Sequence, residues 1–323
     1  MSRSDPGVFR STAHLLRHLG LEPAAAPYAL LGHPGFALLV PADYVGRMRP
    51  ADWYDPLLLQ VLPRAEECRA RAGFSPDPVC DRTSTVAPGL LHKYHGRVLA
   101  LATGGCAIHC RYCFRRAFPF GRTLPGGARQ REMWRYVASR PEIAEVVLSG
   151  GDPLTLGPAR LRRLLAPAGG IAHLRTLRIH SRVPIADPAR VDRATLGVMR
   201  ELARRFTLVV VIHANCAEEL TGRCVGVLRR LRAAGAALLN QSVLLAGIND
   251  SVDALERLSR RLVACGVIPY YLHQLDRAEG TWHFEVGERR GRHLIAELRR
   301  RLPGYLVPRY VREIPGRKNK VLL

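Results

Sequence analysis

Three cysteines lie within eight positions of one another in the segment GGCAIHCRYCFRR, residues 104–116. They are Cys106, Cys110 and Cys113, and the other cysteines are scattered without ligand spacing. Thiolates select soft metals, either zinc or iron–sulfur clusters. A structural zinc site closes with four ligands, usually from two separated pairs, and no partner pair follows this triplet. The spacing C-x3-C-x2-C therefore favours a [4Fe–4S] cluster that is held by three cysteines and leaves one iron open.

An open iron can take a ligand that carries both an amine and a carboxylate. The triplet resembles the signature of radical S-adenosylmethionine enzymes, in which the methionyl group of that cofactor chelates the free iron. Tyr112, directly before the last cysteine, also fits this pattern. A zinc site or a set of spare thiols is the alternative interpretation.

Two further motifs could hold the same cofactor. In LSGGDPL, residues 148–154, Gly150 and Gly151 allow a backbone to approach a ligand closely, and Asp152 could accept a hydrogen bond from an ammonium group. In IHSRVPI, residues 179–185, Ser181 and Arg182 suit the methionyl carboxylate or the ribose.

One histidine is a weaker candidate. The segment VIHAN, residues 211–215, places His213 at the end of a strand-like run. A single histidine in that position is more often a core residue, and we retain it as a cofactor contact only beside the other motifs.

The elements that must position these motifs alternate along the chain. Six short β-branched or leucine-rich runs predict strands at 97–103, 145–150, 174–181, 207–214, 236–245 and 269–275. Between and after them, helical periodicity occurs near 127–140, 158–166, 188–205, 217–234, 251–265 and 287–301. This alternation predicts an α/β fold with a parallel sheet. Six units are too few for an eight-fold barrel, so we expect a partial (β/α)6 barrel with its site at the C-terminal strand ends.

Three parts of the chain are expected. Residues 1–96 form a mostly helical N-terminal extension, with short helical stretches near 12–19 and 57–71. Residues 97–302 form the partial barrel. The tail, residues 303–323, breaks the rhythm of the barrel and should return to close the site.

Composition narrows the classes of function. The chain has 323 residues, 47% of them hydrophobic, and a formal net charge of +22 that comes mostly from arginine. Such charge suits an anionic partner, but the arginines follow helical faces without aromatic interleaving, so we do not expect direct nucleic-acid binding. No apolar run reaches the roughly 20 residues of a membrane helix, and the N-terminus lacks the apolar region of a secretory signal. We expect no membrane association and a cytoplasmic location.

Several segments together resemble the lysine 2,3-aminomutase family. They are HKYHGRVLALATGGCAIHCRYCFRR, LSGGDPL, HSRVP, LNQSVLLAGIND and PYYLHQLD, with DPLLLQVLP and GFSPDPV in the N-terminal part. The ending REIPGRKNK and the short C-terminus are similar to the branch that supplies β-lysine for modification of elongation factor P. Longer members carry a C-terminal cysteine-rich metal site, which should be absent here because no cysteine follows Cys265.

The resemblance implies a second cofactor, pyridoxal phosphate, held as a Schiff base by a lysine of the tail. The chain has three lysines, Lys93, Lys318 and Lys320. Register with the family favours Lys320, although the family's glycine run is reduced here to Pro315-Gly316, and Lys318 is the rival. By the same resemblance, the remaining cofactor contacts are Lys93, Tyr94, Arg97, Asn240 and Gln241.

The resemblance also assigns the substrate contacts. Arg115 matches the residue that pairs with the substrate carboxylate. Asp276 and Glu313 match the acids that hold the side-chain ammonium of lysine, so a cationic side chain is expected. The implied reaction is a 1,2-amino shift that converts free L-lysine to β-lysine. The implied partners are a reductant for the cluster and a ligase that loads β-lysine on elongation factor P.

Two other classes of function remain open at this point. One is a radical enzyme that modifies RNA or protein without pyridoxal phosphate, which the net charge could favour. The other is a non-catalytic iron–sulfur protein.

Overall fold

The strand-like runs of the sequence form strands in the computed structural model, which describes residues 7–32, 35–123 and 127–323. The strands are β1 (Val8–Phe9), β2 (Val40–Pro41), β3 (Thr85–Ala87), β4 (Leu90–Tyr94), β5 (Arg97–Thr103), β6 (Glu145–Gly150), β7 (Thr176–Ser181), β8 (Thr207–Ile212), β9 (Ala237–Val243), β10 (Ile268–His273), β11 (Arg309–Arg312) and β12 (Val321–Leu322).

The helices follow the predicted alternation. They are α1 (Thr12–His18), α2 (Ala42–Val45), α3 (Pro56–Leu59), α4 (Phe120–Thr123), α5 (Ala128–Ala138), α6 (Pro158–Leu165), α7 (Val183–Ala186), α8 (Arg193–Ala203), α9 (Arg223–Ala233), α10 (Val252–Ala264) and α11 (Glu288–Arg301). Each of the six predicted helical segments of the barrel contains one of the longer helices. The helix expected near 57–71 is wrong in length, because α3 ends at Leu59 and Pro63 cannot donate a helical hydrogen bond.

One sheet organises the molecule. Within the described residues its strand order is β12-β11-β10-β9-β8-β7-β6-β5-β4-β3. Strands β5 to β11 are parallel, while β3, β4 and β12 join its two ends antiparallel. The α/β fold predicted from the sequence is confirmed. Because this linear order does not pair β3 with β12, the described sheet is open.

The seventh parallel strand, β11, is a difference from the six that were predicted. It pairs with β10, with Leu272 opposite Tyr310. Its four residues begin and end with arginine, which hides the apolar pair Tyr310 and Val311 in the sequence pattern. The tail thus enters the sheet itself, and β12 returns along β11 with Arg312 opposite Val321.

The two faces of the sheet have different neighbours. On the outer face, alternate residues such as Val146, Leu148, Ile179 and Val210 are buried against the helices in the main hydrophobic core. On the inner face, residues of β5 to β10 line one cavity of about 380 Å³, among them Leu99, Val147, His180, Val211, Gln241 and His273. The parallel strands therefore curve around this cavity.

The N-terminal extension packs on the cysteine segment. Its apolar residues, including Leu16, Tyr44 and Leu58, share a hydrophobic cluster with Ile108 and Ala186 of the barrel. Strands β3 and β4, which also precede residue 97, belong to the main sheet. No helix in the described ranges combines the length and hydrophobicity needed to cross a membrane.

Candidate active site

The cysteine segment follows β5 and lines the cavity with all three of its thiols, Cys106, Cys110 and Cys113. The extension fixes this segment from behind, since the His109 backbone N–H donates to Leu39 O at 2.9 Å and that of Arg111 donates to Gln60 O at 2.9 Å. The structure therefore brings the predicted cluster ligands to one wall of the cavity.

The surroundings of the thiols suit metal ligands better than free nucleophiles. Burial raises the pKa of Cys113 to about 11 and that of Cys106 further. Such thiols stay protonated until a metal displaces the proton. The Arg182 guanidinium lies beside the triplet, with Nη1 at 2.6 Å from Cys110 Sγ. Within the described residues, no three His, Cys, Asp or Glu side chains are close enough to hold a single metal ion.

The paired glycines after β6 pack against the cysteine segment. A Cβ on Gly151 would lie 2.3 Å from Gly105 O, and one on Gly150 would lie 2.5 Å from Thr103 O. Gly150 also has φ +114, a region that favours glycine. The Gly151 N–H donates to Thr103 O at 2.6 Å. Both glycines line the cavity, and their lack of side chains allows the two segments to touch.

Asp152 is hydrogen-bonded within the chain. Its Oδ1 accepts from Ser181 Oγ at 2.6 Å and from Leu154 N at 3.1 Å, and its Oδ2 accepts from the N–H groups of Arg182 and Val183. An ionised carboxylate offers about four acceptor sites, and the chain itself fills them. The predicted contact with a methionyl ammonium would have to replace one of these hydrogen bonds, through which Asp152 joins the ends of β6 and β7.

Ser181 and Arg182 are also engaged within the protein. Ser181 donates to Asp152, and Arg182 Nη2 donates to Gln60 Oε1 and to Glu219 Oε1, each at 2.7 Å. Arg182 and Glu219 form a buried ion pair. Arg182 keeps one buried Nε without a partner among the described residues. Both residues line the cavity, but most of their hydrogen bonds go to other groups of the protein, and one of them reaches Cys110 of the cysteine segment.

His213 lies on the same wall, where its Nε2 is 2.8 Å from the Tyr112 hydroxyl. Burial, with the charge of Arg182, lowers the pKa of His213 to about 3. The imidazole is therefore neutral at physiological pH.

Another part of the cavity lining carries a chain of alternating charges, which we call the ion-pair network: Lys320, Glu313, Lys93, Asp81 and Arg115. Lys320 Nζ lies 2.5 Å from Glu313 Oε2, and Lys93 Nζ lies 2.9 Å from Glu313 Oε1. Lys93 Nζ also lies 2.6 Å from Asp81 Oδ1, and Arg115 Nε lies 2.7 Å from Asp81 Oδ2. The structure thus joins residues from β4, the cysteine segment and the tail.

Two acids of this wall differ in protonation. Burial would raise the pKa of Glu313, but the charges of Lys320 and Lys93 outweigh it and lower the pKa to about 2. Burial raises the pKa of Asp276 to about 7 despite the opposing charge of Lys320. Among the described residues no hydrogen bond takes up the Asp276 carboxylate, which faces the cavity. Asp276 is thus the acid that lacks a direct partner.

The tail hairpin explains why Glu313 and Lys320 meet. Strands β11 and β12 pair Arg312 with Val321, so the residues one step further along the hairpin lie side by side. Lys318 lies in the turn, is exposed, and does not line the cavity. The structure therefore favours Lys320 over Lys318 as the lysine of the site.

The remaining predicted cofactor contacts divide into two groups. Tyr94, Arg97 and Gln241 line the cavity, and the Arg97 guanidinium lies 4.7 Å from the centre of the Tyr94 ring. Asn240 does not line it. Its side chain hydrogen-bonds the backbone of Ala214, two residues after β8, at 2.9 and 3.1 Å. The prediction for Asn240 is wrong because successive strand residues face opposite sides.

Three cavity residues escaped the sequence analysis: Asp81, His180 and His273. Asp81 is buried and links Lys93 to Arg115. His180 and His273 each carry a buried Nε2 with no partner among the described residues. The strand periodicity could have identified the histidines, since His180 alternates with the buried Ile179. Nothing in the sequence around Asp81 marks it.

The residues present fit the groups that the motifs imply. Three thiols at one wall suit an iron–sulfur cluster. Elsewhere the cavity offers an amine, an aromatic ring and hydrogen-bond donors for an anion, from Lys320, Tyr94, Arg97 and Gln241. The buried Nε2 of His180 has no hydrogen-bond partner among the described residues. The cavity volume of about 380 Å³ is in the range of cofactor and ligand pockets.

Parallel strands around a cavity that holds thiols, ion pairs and a lysine define an α/β enzyme. A scan against models of protein families finds no match. An L-lysine 2,3-aminomutase of Escherichia coli (strain K12) is 44% identical over 290 residues, 89% of this chain and 83% of that protein. One from Haemophilus influenzae is 38% identical over 312 residues, 95% and 90% of the two chains. This chain belongs to the lysine 2,3-aminomutase family.

The family predicted from the motifs is thereby confirmed, and so is an enzyme of the aminomutase class. A longer L-lysine 2,3-aminomutase of Bacillus subtilis (strain 168) is 34% identical over 282 residues, 87% of this chain but 59% of that protein. Among solved structures, a radical SAM methyltransferase from Sphaerobacter thermophilus is 20% identical with a TM-score of 0.46, covering 69% of this chain and 68% of that one.

Proposed function

We propose that this chain converts L-α-lysine to β-lysine by moving the α-amine to the neighbouring carbon. The observation that carries this proposal is that one cavity is lined by the thiols of the cysteine segment, by Lys320 and by the acids Asp276 and Glu313. A radical source, an amine carrier and a subsite for a cationic side chain would then face the same substrate.

Two walls would hold the cofactors. Cys106, Cys110 and Cys113 would bind a [4Fe–4S] cluster, with S-adenosylmethionine on its open iron. Lys320 would bind pyridoxal phosphate, with Tyr94, Arg97 and Gln241 as further contacts. When bound, these groups supply one-electron cleavage of S-adenosylmethionine and a carbonyl that carries the migrating amine, chemistry that side chains cannot perform.

The chain's own residues would position lysine between these walls. Arg115 uses Nε for Asp81 and Nη1 for Ser149, and among the described residues no hydrogen bond takes up its Nη2, which would bind the substrate carboxylate. Asp276 and Glu313 would bind the side-chain ammonium. Apolar residues such as Val147 and Val243 on the floor would exclude water from the reacting carbons.

We further propose three functional parts, 1–96, 97–302 and 303–323, which contribute strands to one sheet. The tail supplies Glu313 and Lys320, and the barrel supplies the cluster ligands.

The use of β-lysine after its formation is a further, more specific proposal. The chain covers 83% of the Escherichia coli relative but 59% of the Bacillus subtilis one. The segment REIPGRKNK, residues 312–320, resembles the branch in which a ligase loads β-lysine on elongation factor P. A reductant for the cluster would be the other partner.

An anaerobic assay tests the proposed function. The reconstituted chain would be incubated with L-lysine, S-adenosylmethionine, pyridoxal phosphate and a reductant, and the amino acids separated by chromatography. We expect β-lysine from wild type and from Cys68→Ala, whose thiol is exposed and outside the cavity, but none from Cys110→Ala. Absence of β-lysine with wild type, or its formation by Cys110→Ala, would contradict the proposal.

A further inference from the structure

Glu313 binds two ammonium groups, one on each carboxylate oxygen. Lys93 on Oε1 is fixed further by Asp81 Oδ1 at 2.6 Å and by Val79 O at 2.7 Å. Lys320 on Oε2 has no other hydrogen bond or ion pair among the described residues. One ammonium is therefore anchored on several sides, and the other is held by a single carboxylate.

Each carboxylate oxygen of Glu313 has an ammonium partner while Lys320 is charged, Lys93 on Oε1 and Lys320 on Oε2. Side chains of the network are largely buried, with 16% exposure for Glu313 and 21% for Lys320. A buried carboxylate that loses its partner is costly. Removal of the Lys320 ammonium therefore creates a demand for another cation at Glu313 Oε2.

The proposed function removes that ammonium. If the cofactor aldehyde were attached there, the Lys320 ammonium would first give up a proton to solvent, and the carbon–nitrogen double bond would then form with release of water. The nitrogen then keeps at most one N–H instead of three. It can no longer act as the ammonium partner of Glu313.

We propose that Lys320 itself occupies the subsite for the substrate's side-chain ammonium until the cofactor engages it, and that the substrate ammonium then takes its place on Glu313 Oε2. This inference rests on the proposed function, because it requires Lys320 to be the cofactor lysine. Lys93 holds Glu313 in position through the exchange by way of Oε1, and Asp276 supplies the second carboxylate. The subsite for a cationic side chain thus opens only when the cofactor is attached.

Calorimetric binding to the cofactor-free full chain tests the exchange. The probes are L-lysine and L-norleucine, which share an aliphatic side chain but differ in the terminal ammonium. In Lys320→Met we expect lysine to bind at least about 10-fold more tightly than norleucine, the effect of a charged hydrogen bond. In wild type, and in the matched control Lys318→Met, the preference for lysine over norleucine should be about 10-fold smaller than in Lys320→Met, because Glu313 Oε2 is then occupied and leaves only Asp276 to bind the ligand ammonium.

Further variants keep the test decisive. Lys320→Gln should repeat the preference of Lys320→Met if the latter folds poorly, and adding Glu313→Gln should abolish it. The proposal is overturned if wild type already prefers lysine over norleucine as strongly as Lys320→Met does. It is also overturned if both Lys320 variants fail to bind lysine or fail to prefer it over norleucine. Turnover of lysine by wild type with both cofactors bound is measured separately. If wild type converts lysine but the Lys320 variants show no preference for lysine over norleucine, the exchange alone is refuted. If the variants show that preference but wild type does not convert lysine, the proposed function alone is refuted.

Discussion

At the scale of single residues, Asp276 gives the site a pH dependence. Its pKa is about 7, above the ordinary value, because burial disfavours the charged carboxylate. The neutral acid therefore predominates below pH 7 and the carboxylate above it, whereas the lysine ammonium stays charged until about pH 10. The form that binds an ammonium is thus lost as pH falls.

We predict that kcat/KM for lysine rises between about pH 6 and 8, since this ratio reports ionisation of the free enzyme. Asp276→Asn should remove that rise and lower kcat/KM about 10- to 100-fold, the effect of a lost charged hydrogen bond. Asp253→Asn, on an aspartate of α10 that is 73% exposed, is the control and should keep the wild-type profile. An unchanged profile in Asp276→Asn would remove Asp276 from the ammonium subsite.

Residue spacing and the family resemblance together predicted part of this site. Cysteine spacing identified the thiols and the resemblance identified Lys320, and the structure brings both to one cavity. Asn240 was wrong because its neighbour Gln241 takes the inward position on the strand. Asp152 accepts from Ser181 at the end of β7 and from the two residues that follow it, about thirty positions along the chain, and no local pattern shows these donors. Asp81 was missed since its partners Lys93 and Arg115 meet it only in the fold.

At the scale of elements, the contact between β6 and the cysteine segment depends on glycine. Gly151→Ala would place Cβ at 2.3 Å from Gly105 O and 2.8 Å from Gly104 C, both backbone atoms. The two segments would have to separate. We predict a loss of about 1–3 kcal/mol in the free energy of unfolding, together with reduced iron content after reconstitution.

Urea unfolding and iron analysis check this prediction. The matched control is Gly170→Ala, where the new Cβ would meet nothing within 4 Å; its stability should change by no more than about 0.5 kcal/mol. Wild-type stability and iron content in Gly151→Ala would show that the contact is not needed.

The elements themselves were largely predictable. Hydrophobic periodicity located the six strands β5 to β10 and the helices that follow them, because each repeats a pattern over enough residues to be recognised. It missed β11, whose four residues combine a buried tyrosine and valine with two arginines. Its place beside β10 is decided by packing of Tyr310 and Leu306 against α11, in a core cluster with Leu294 and Leu298.

At the scale of the whole molecule, the two proposed cofactors depend on distant parts of the chain. The cysteine segment is anchored by the N-terminal extension, and Lys320 by the β11–β12 hairpin. We therefore predict that the sites load independently. Cys110→Ala should still form the reducible Schiff base with pyridoxal phosphate, and Lys320→Met should still bind about four irons per chain. Absorbance and iron analysis check both, and loss of both cofactors in either variant would contradict the separation.

The central claim is that radical and amine chemistry meet at one substrate inside one cavity. The most direct measurement is transfer of deuterium from L-lysine labelled at its β-carbon, with the 5′-deoxyadenosine formed during turnover analysed by mass spectrometry. The account predicts deuterium in 5′-deoxyadenosine and in β-lysine. Cleavage of S-adenosylmethionine that yields only unlabelled 5′-deoxyadenosine would contradict it.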